Sequence, residues 1–308
     1  MKDQLKIALD WTPNINHIGF YVAQEKGFYE EQGLSVELIT PDHDNYAITP
    51  AKKVELGIVD FALCPMESII SYQTKAKPFH LVAISSIFQY DLSAIATTKT
   101  ITSPKDLDDK TYASYKARYE DGIVQAMIKN DGGQGNIKIS YPDKLGIWER
   151  VISGEADATW IFMNWEGVQA QAESLPLNYF KMADYDIPYS YSPVIAANGN
   201  RAVTRQTVYA RFLAATKAGY LFAKNNPQAA VELLTPFVPE HDRSIDLVAA
   251  LAMSAPAIGD AATWGRMETE NVQTFLGWLK EHGLEMAELG VGDLVLDVLL
   301  AQSIIESK

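Results

Sequence analysis

The stretch Leu9-Asp10-Trp11-Thr12-Pro13-Asn14-Ile15-Asn16-His17-Ile18-Gly19-Phe20-Tyr21-Val22-Ala23-Gln24-Glu25-Lys26-Gly27-Phe28-Tyr29, followed by the alternating Leu34-Ser35-Val36-Glu37-Leu38, decides the fold. It reads as a strand ending in a polar and aromatic loop that feeds a helix, then a second strand of period two. A strand-to-helix junction of this kind is where open α/β sheets put their ligands. The site is therefore expected at the carboxyl ends of strands, beginning at Asp10 and Trp11.

Working outward, strands and helices alternate. Leu5–Leu9 reads as a strand, His17–Lys26 as a helix closed by Gly27, Leu34–Ile39 as a strand, and Thr49–Leu56 as a helix stopped at Gly57. Asp60–Leu63 is a short buried strand, Pro65–Lys75 a helix with proline in its first turn, and Phe79–Phe88 a long apolar strand. A second series starts after Asp91: strand Ser93–Thr98, a capped turn at Ser103–Leu107, strand Thr111–Tyr115, helix Tyr119–Asn130 and strand Asn136–Tyr141. Helix Leu145–Ser153, strand Ala158–Phe162 and helix Asn164–Ser174 follow. The run Ile187–Ala196 is extended and bounded by Pro188 and Pro193. From Thr204 the pattern is helical: Gln206–Asn225, Pro227–Leu234, Ser244–Ser254, Glu268–Glu281 and a last helix near Leu294–Ile305. Helices without new strands must cover sheets already built.

This pattern predicts an α/β protein of two Rossmann-like lobes. Lobe 1 takes residues 1–91 and 197–308 with the C-terminal helices, and lobe 2 takes 92–196. Crossings near Tyr90–Ser93 and Tyr189–Ala196 make a hinge beside an interlobe cleft. No internal repeat is visible in the sequence.

At 308 residues, with 47% hydrophobic and 21% charged residues, the chain can bury two cores. Its net charge of −13 argues against a nucleic-acid partner or an anionic membrane surface, both of which need a basic face. The single cysteine, Cys64, excludes an internal disulfide. No stretch is apolar enough to span a bilayer, and the first strand follows Met1 almost at once without a leader. Localisation is thus open: extracytoplasmic if a leader is removed, otherwise cytoplasmic.

The motif Asp10-Trp11-x-Pro13-Asn14-x-x-His17, with Ala23-Gln24-x-Lys26-Gly27-Phe28-Tyr29-x-x-x-Gly33-Leu34 and Gly57-x-Val59-Asp60-Phe61-Ala62, resembles the family joining periplasmic aminopyrimidine-binding proteins to fungal thiamine-pyrimidine synthases. The resemblance covers roughly the first two hundred residues. It implies a type II periplasmic-binding-protein architecture with the ligand between lobes. In the synthase branch it would also imply pyridoxal phosphate, a Schiff-base lysine, a donor histidine and a cysteine-rich iron loop. By that register Cys64 stands at the lysine position and Ser68 at the histidine position, and the cysteine-rich loop is absent. The phosphate-gripping loop of the synthases falls on Tyr115-Lys116-Ala117-Arg118-Tyr119, where a helix N-terminus and two cations suit phosphate or carboxylate. A solvated pair of surface charges is the other reading.

A heteroaromatic ligand needs flat surfaces and a few in-plane donors and acceptors. Trp11, Tyr90, Trp160, Tyr189 and Tyr191 are the candidate planes, with Trp165 a further one; core packing is the alternative for each. Stacking is worth roughly 1–3 kcal/mol per base. Asn14 either caps the helix after Pro13 or offers its amide to an aminopyrimidine edge. Glu67 and Glu166 either accept from an exocyclic amine or complement helix N-termini. Asn164 opens the second such helix. His17 could donate to a ligand, and without a partner histidine at i+4 it is a poor metal ligand; His43 lies in a solvated turn. The Met253 and Met267 positions read as packing.

The leading expectation is a binding protein that captures a thiamine-related aminopyrimidine, phosphorylated or not, for an ABC permease or a salvage enzyme, with no cofactor and no metal. The alternatives are a cytosolic hydroxymethylpyrimidine phosphate synthase-like enzyme using pyridoxal phosphate, and a binding protein for another small anion such as a sulfonate.

Overall fold

The computed structural model describes residues 2–143, 147–297 and 300. Its strands are β1 (Asp3–Ala8), β2 (Leu34–Ile39), β3 (Phe61–Cys64), β4 (Leu81–Ser86), β5 (Ser93–Thr98), β6 (Thr111–Ala113), β7 (Lys138–Ser140), β8 (Ala158–Phe162), β9 (Leu177–Phe180) and β10 (Val194–Asn198). They form two five-stranded sheets, ordered β2-β1-β3-β10-β4 and β7-β6-β8-β5-β9. In the first, β1 runs parallel to β2 and β3, while β10 is antiparallel to β3 and β4. In the second, β6 runs parallel to β7 and β8, while β5 is antiparallel to β8 and β9. Each sheet therefore has one reversed strand in the fourth position. The two share a topology that no sequence repeat betrays.

Two compact units contain these sheets: Met1–Asp91 with Tyr191–Val272 and Leu289–Lys308, and Leu92–Ser190 with Gln273–Glu288. Residues 273–288 thus cluster with the second sheet, whereas the sequence reading keeps all of 197–308 with the first. The physical reason is a buried anchor: the Tyr119 hydroxyl donates to Glu285 Oε2 at 2.6 Å, and Arg118 pairs with the same oxygen at 2.8 Å.

In the first unit the helix Gln206–Asn225 lies on the sheet through aromatic rings. Phe212 stacks on Phe61 at 4.1 Å and parallel to Tyr29 at 5.7 Å, and the Tyr29 hydroxyl meets Thr216 Oγ1 at 3.0 Å. Fully burying each such ring contributes about 1.5–3 kcal/mol. The same helix crosses helix Ile18–Glu25 at two glycines: a Cβ on Gly219 would sit 2.0 Å from the Gly19 carbonyl oxygen. Just before β3, Asp60 ties three elements together. Its Oδ2 accepts from the Lys6 amide at 3.1 Å and its Oδ1 from Arg205 at 2.7 Å and the Tyr209 hydroxyl at 3.2 Å.

Several element ends differ from the sequence reading. Helix Leu247–Ile258 continues past Ser254 despite Pro256, which falls in its last turn, while Asp246 caps its start by accepting from the Val248 and Ala249 amides. Strand β9 is unpredicted; its four residues carry no alternation and pair only along one edge of the sheet, with β5. The helix expected over Leu145–Ser153 is seen as Ile147–Ile152; Leu145 lies outside the described residues, as does Ile305 of the expected last helix. The helical turn Val291–Leu294 precedes a bridge of Val295 to Ala83. Among the described residues, no helix is long and apolar enough to cross a membrane.

Candidate functional site

In the first unit, β1 and β3 are parallel neighbours, so the loops leaving their carboxyl ends emerge together: Leu9–Asn14 from β1 and Cys64–Glu67 from β3. Asn14 caps the turn Ile15–His17. Its Oδ1 accepts from the Asn16 amide at 2.8 Å and its Nδ2 donates to the Thr12 carbonyl at 3.1 Å. His17 is fully buried. Its Nδ1 accepts from the Asn14 amide at 3.3 Å, which assigns the proton to Nε2, and Nε2 donates to Asp10 Oδ1 at 2.8 Å. Both residues thus brace the loop that carries Trp11. Trp11 is partly exposed and meets Tyr46 edge-on, with ring centroids 5.5 Å apart.

Tyr46 is a residue that sequence reasoning missed. Its φ of 61° and that of 52° at Asn45 put two successive non-glycine residues in the left-handed region, a conformation costing of order 1–3 kcal/mol each. Burial, with Asp42 and Asp242 nearby, pushes its phenol up to about 12. No local sequence signal marks it beyond the turn residues Asp42–Asn45.

Cys64 ends β3 opposite Val194 and is buried. Burial pushes its thiol up, Asp10 and Glu67 push the same way, and a hydrogen bond with Ser68 opposes them. The group is an inert, protonated thiol. Glu67 is buried in the first turn of helix Met66–Thr74. Tyr191 is a packing residue: it is buried, and its hydroxyl accepts from the Glu268 amide at 2.7 Å and Asn271 Nδ2 at 3.3 Å. Tyr90 stands half exposed.

In the second unit, β6 and β8 are parallel neighbours, so Tyr115–Tyr119 and Met163–Trp165 leave the same sheet end. Trp160, partly exposed on β8, meets Tyr189 edge-on at 5.0 Å, and Tyr189 meets Phe275 at 5.4 Å. Asn164 is fully buried, and Glu166, the first residue of helix Glu166–Ala172, reaches back to accept from the Phe162 amide at the end of β8 at 3.0 Å. Phe275, from the C-terminal stretch, is a second residue that sequence reasoning does not reach.

The loop expected to grip a phosphate is closed on the chain's own groups. Glu120 Oε1 accepts from the Tyr115 amide at 3.0 Å and the Tyr112 hydroxyl at 2.8 Å, and its Oε2 accepts from the Ala117 amide at 3.1 Å. The Lys116 amide donates to Ser114 Oγ at 2.9 Å, and the Lys116 ammonium lies 5.3 Å from the Tyr141 ring centroid. Arg118 pairs with Glu285. With a buried thiol at the end of β3 and these amides already bonded, the residues do not fit pyridoxal phosphate.

Two α/β units, each with a 2-1-3-n-4 type sheet and aromatic, polar loops at its strand ends, define a protein of the periplasmic-binding-protein fold. The alkanesulfonate-binding protein SsuA of Xanthomonas axonopodis pv. citri, solved bound to MOPS, has a similar fold, with a TM-score of 0.71 at 10% identity over 96% of this chain and 98% of that one. The family described as NMT1/THI5 like matches residues 14–230, and the chain belongs to it. A formylaminopyrimidine-binding protein of Halalkalibacterium halodurans is 24% identical over 291 residues, 91% of this chain and 86% of its own. A putative thiamine biosynthesis protein of Haemophilus influenzae is 26% identical over 241 residues, 77% of this chain and 74% of its own.

Proposed function

We propose that this protein captures a thiamine-related aminopyrimidine, of the formylaminopyrimidine or hydroxymethylpyrimidine type, and delivers it to an ABC permease or to salvage. The carrying observation is the similarity, along nine-tenths of the chain, to a protein named for binding formylaminopyrimidine. The site chemistry supports it. Trp11 and Tyr46 in the first unit, and Trp160 and Tyr189 in the second, offer flat aromatic rings. Glu67, Asn164 and the loop carbonyls supply acceptors for an exocyclic amine.

A synthase reading finds little support in the residues: Cys64 offers a protonated thiol where an amine would have to form a Schiff base. The test is a calorimetric titration of purified protein with formylaminopyrimidine, hydroxymethylpyrimidine and small alkanesulfonates. Binding of a pyrimidine, weakened about 5- to 150-fold by Trp11→Ala with the fold intact, is the expected result. Binding of sulfonates alone refutes the proposal.

A further inference from the structure

The backbone at Tyr115–Ala117 is an anion nest: Lys116 sits at φ 62°, and successive amides turn inward just ahead of the N-terminus of helix Glu120–Asn130. Its anion is the chain's own. Both carboxylate oxygens of Glu120 and the Ser114 hydroxyl take the amides of residues 115–117. The neighbouring Asp121 accepts from Ser114 Oγ and the Tyr141 hydroxyl, each at 2.7 Å, and Arg118 is neutralised by the buried Glu285. Glu166 and Glu149 add negative charge around Tyr115.

An incoming phosphate at this strand end would find no free nest amide and would face carboxylates instead. We infer that Glu120, with Glu285 behind Arg118, determines specificity: the protein rejects phosphate esters and admits the uncharged pyrimidine. This rests on the aminopyrimidine reading and narrows it to unphosphorylated ligands. A built-in repulsive group of this kind discriminates without any gain in contact to the preferred ligand.

The experiment has two arms. In the first, wild-type protein and Glu120→Ala are titrated with inorganic sulfate in a thermal-shift assay. Wild type is expected to show no sulfate-specific stabilisation and the variant to gain one, because its nest is vacated; a variant that folds and gains none overturns the inference, whatever the true ligand. In the second, the aminopyrimidine alcohol and its phosphate monoester are titrated into wild type, Glu120→Gln and Glu285→Gln. The ester is expected to bind at least about a hundredfold more weakly to wild type, like charges costing several kcal/mol at an interface. That gap should narrow about tenfold in whichever variants fold. An ester binding as tightly as the alcohol, or a gap unchanged in both variants, overturns the inference. Silence from both compounds, alongside a positive sulfate arm, counts against the aminopyrimidine reading and leaves the filled nest standing.

Discussion

Replacing His17 by leucine separates a bracing role from a ligand role. The imidazole is fully buried and makes two bonds, accepting from the Asn14 amide at 3.3 Å and donating to Asp10 at 2.8 Å. Leucine fills much of the same volume and makes neither bond. The Asn14 amide is then left buried without a partner, a loss of about 1–3 kcal/mol. The bond to the Asp10 carboxylate is of the stronger, charged kind, but that side chain is 25% exposed and can rehydrate, so its loss is discounted to about 1 kcal/mol. Together they give roughly 2–4 kcal/mol, or a fall in Tm of roughly 5–15 °C for a unit of this size. Thermal unfolding followed by tryptophan fluorescence measures it. An unchanged midpoint would refute the bracing argument, and an unchanged midpoint with abolished ligand binding would assign His17 to the ligand directly.

Cys64 should be silent toward a thiol reagent such as Ellman's in the folded protein and react with one equivalent on unfolding. Burial raises its folded pKa above the ordinary value of 9.0, so above that pH the unfolded chain releases a proton that the folded one keeps. Stability therefore falls as pH rises past about 9, and Cys64→Ser should flatten that slope; a slope identical in the variant would contradict the assignment. Gly219→Ala places a methyl 2.0 Å from the Gly19 carbonyl and must push the two helices apart. It should cost at least about 1–3 kcal/mol in urea denaturation, and a neutral result would contradict a glycine-only crossing of the two helices.

Much of the fold is legible in the residues, because periodicity reports burial. The strands Leu34–Ile39, Ser93–Thr98 and Ala158–Phe162 and the helices Gln206–Asn225 and Pro227–Leu234 have the bounds that their patterns predict. Strand β9 escapes because four residues at an edge carry no usable period. Strand β10 is visible as an extended run, but its antiparallel insertion between β3 and β4 is a matter of pairing across more than a hundred residues. Around the proposed site, sequence reads the Asn14 cap, since loop and helix start are local. It cannot see Glu120 folding back onto Tyr115 and Ala117, and so it reads the loop by its cations alone.

Strand polarity sorts the motif residues that sequence cannot. In Asp60-Phe61-Ala62-Leu63-Cys64 the first and last residues are four apart and lie at opposite ends of one strand. Asp60, just before the amino end, holds sheet to helix through Lys6, Arg205 and Tyr209. Cys64, at the carboxyl end, stands where β1 releases Asp10 and Trp11. In the second sheet the same rule puts Tyr115 and Asn164 at carboxyl ends. A fold that persists at 10% identity fixes which ends carry loops; the side chains placed there fix what is bound. In this chain those side chains include aromatic rings, acceptors and a self-filled anion nest, and the proposed capture of an uncharged aminopyrimidine rests on them.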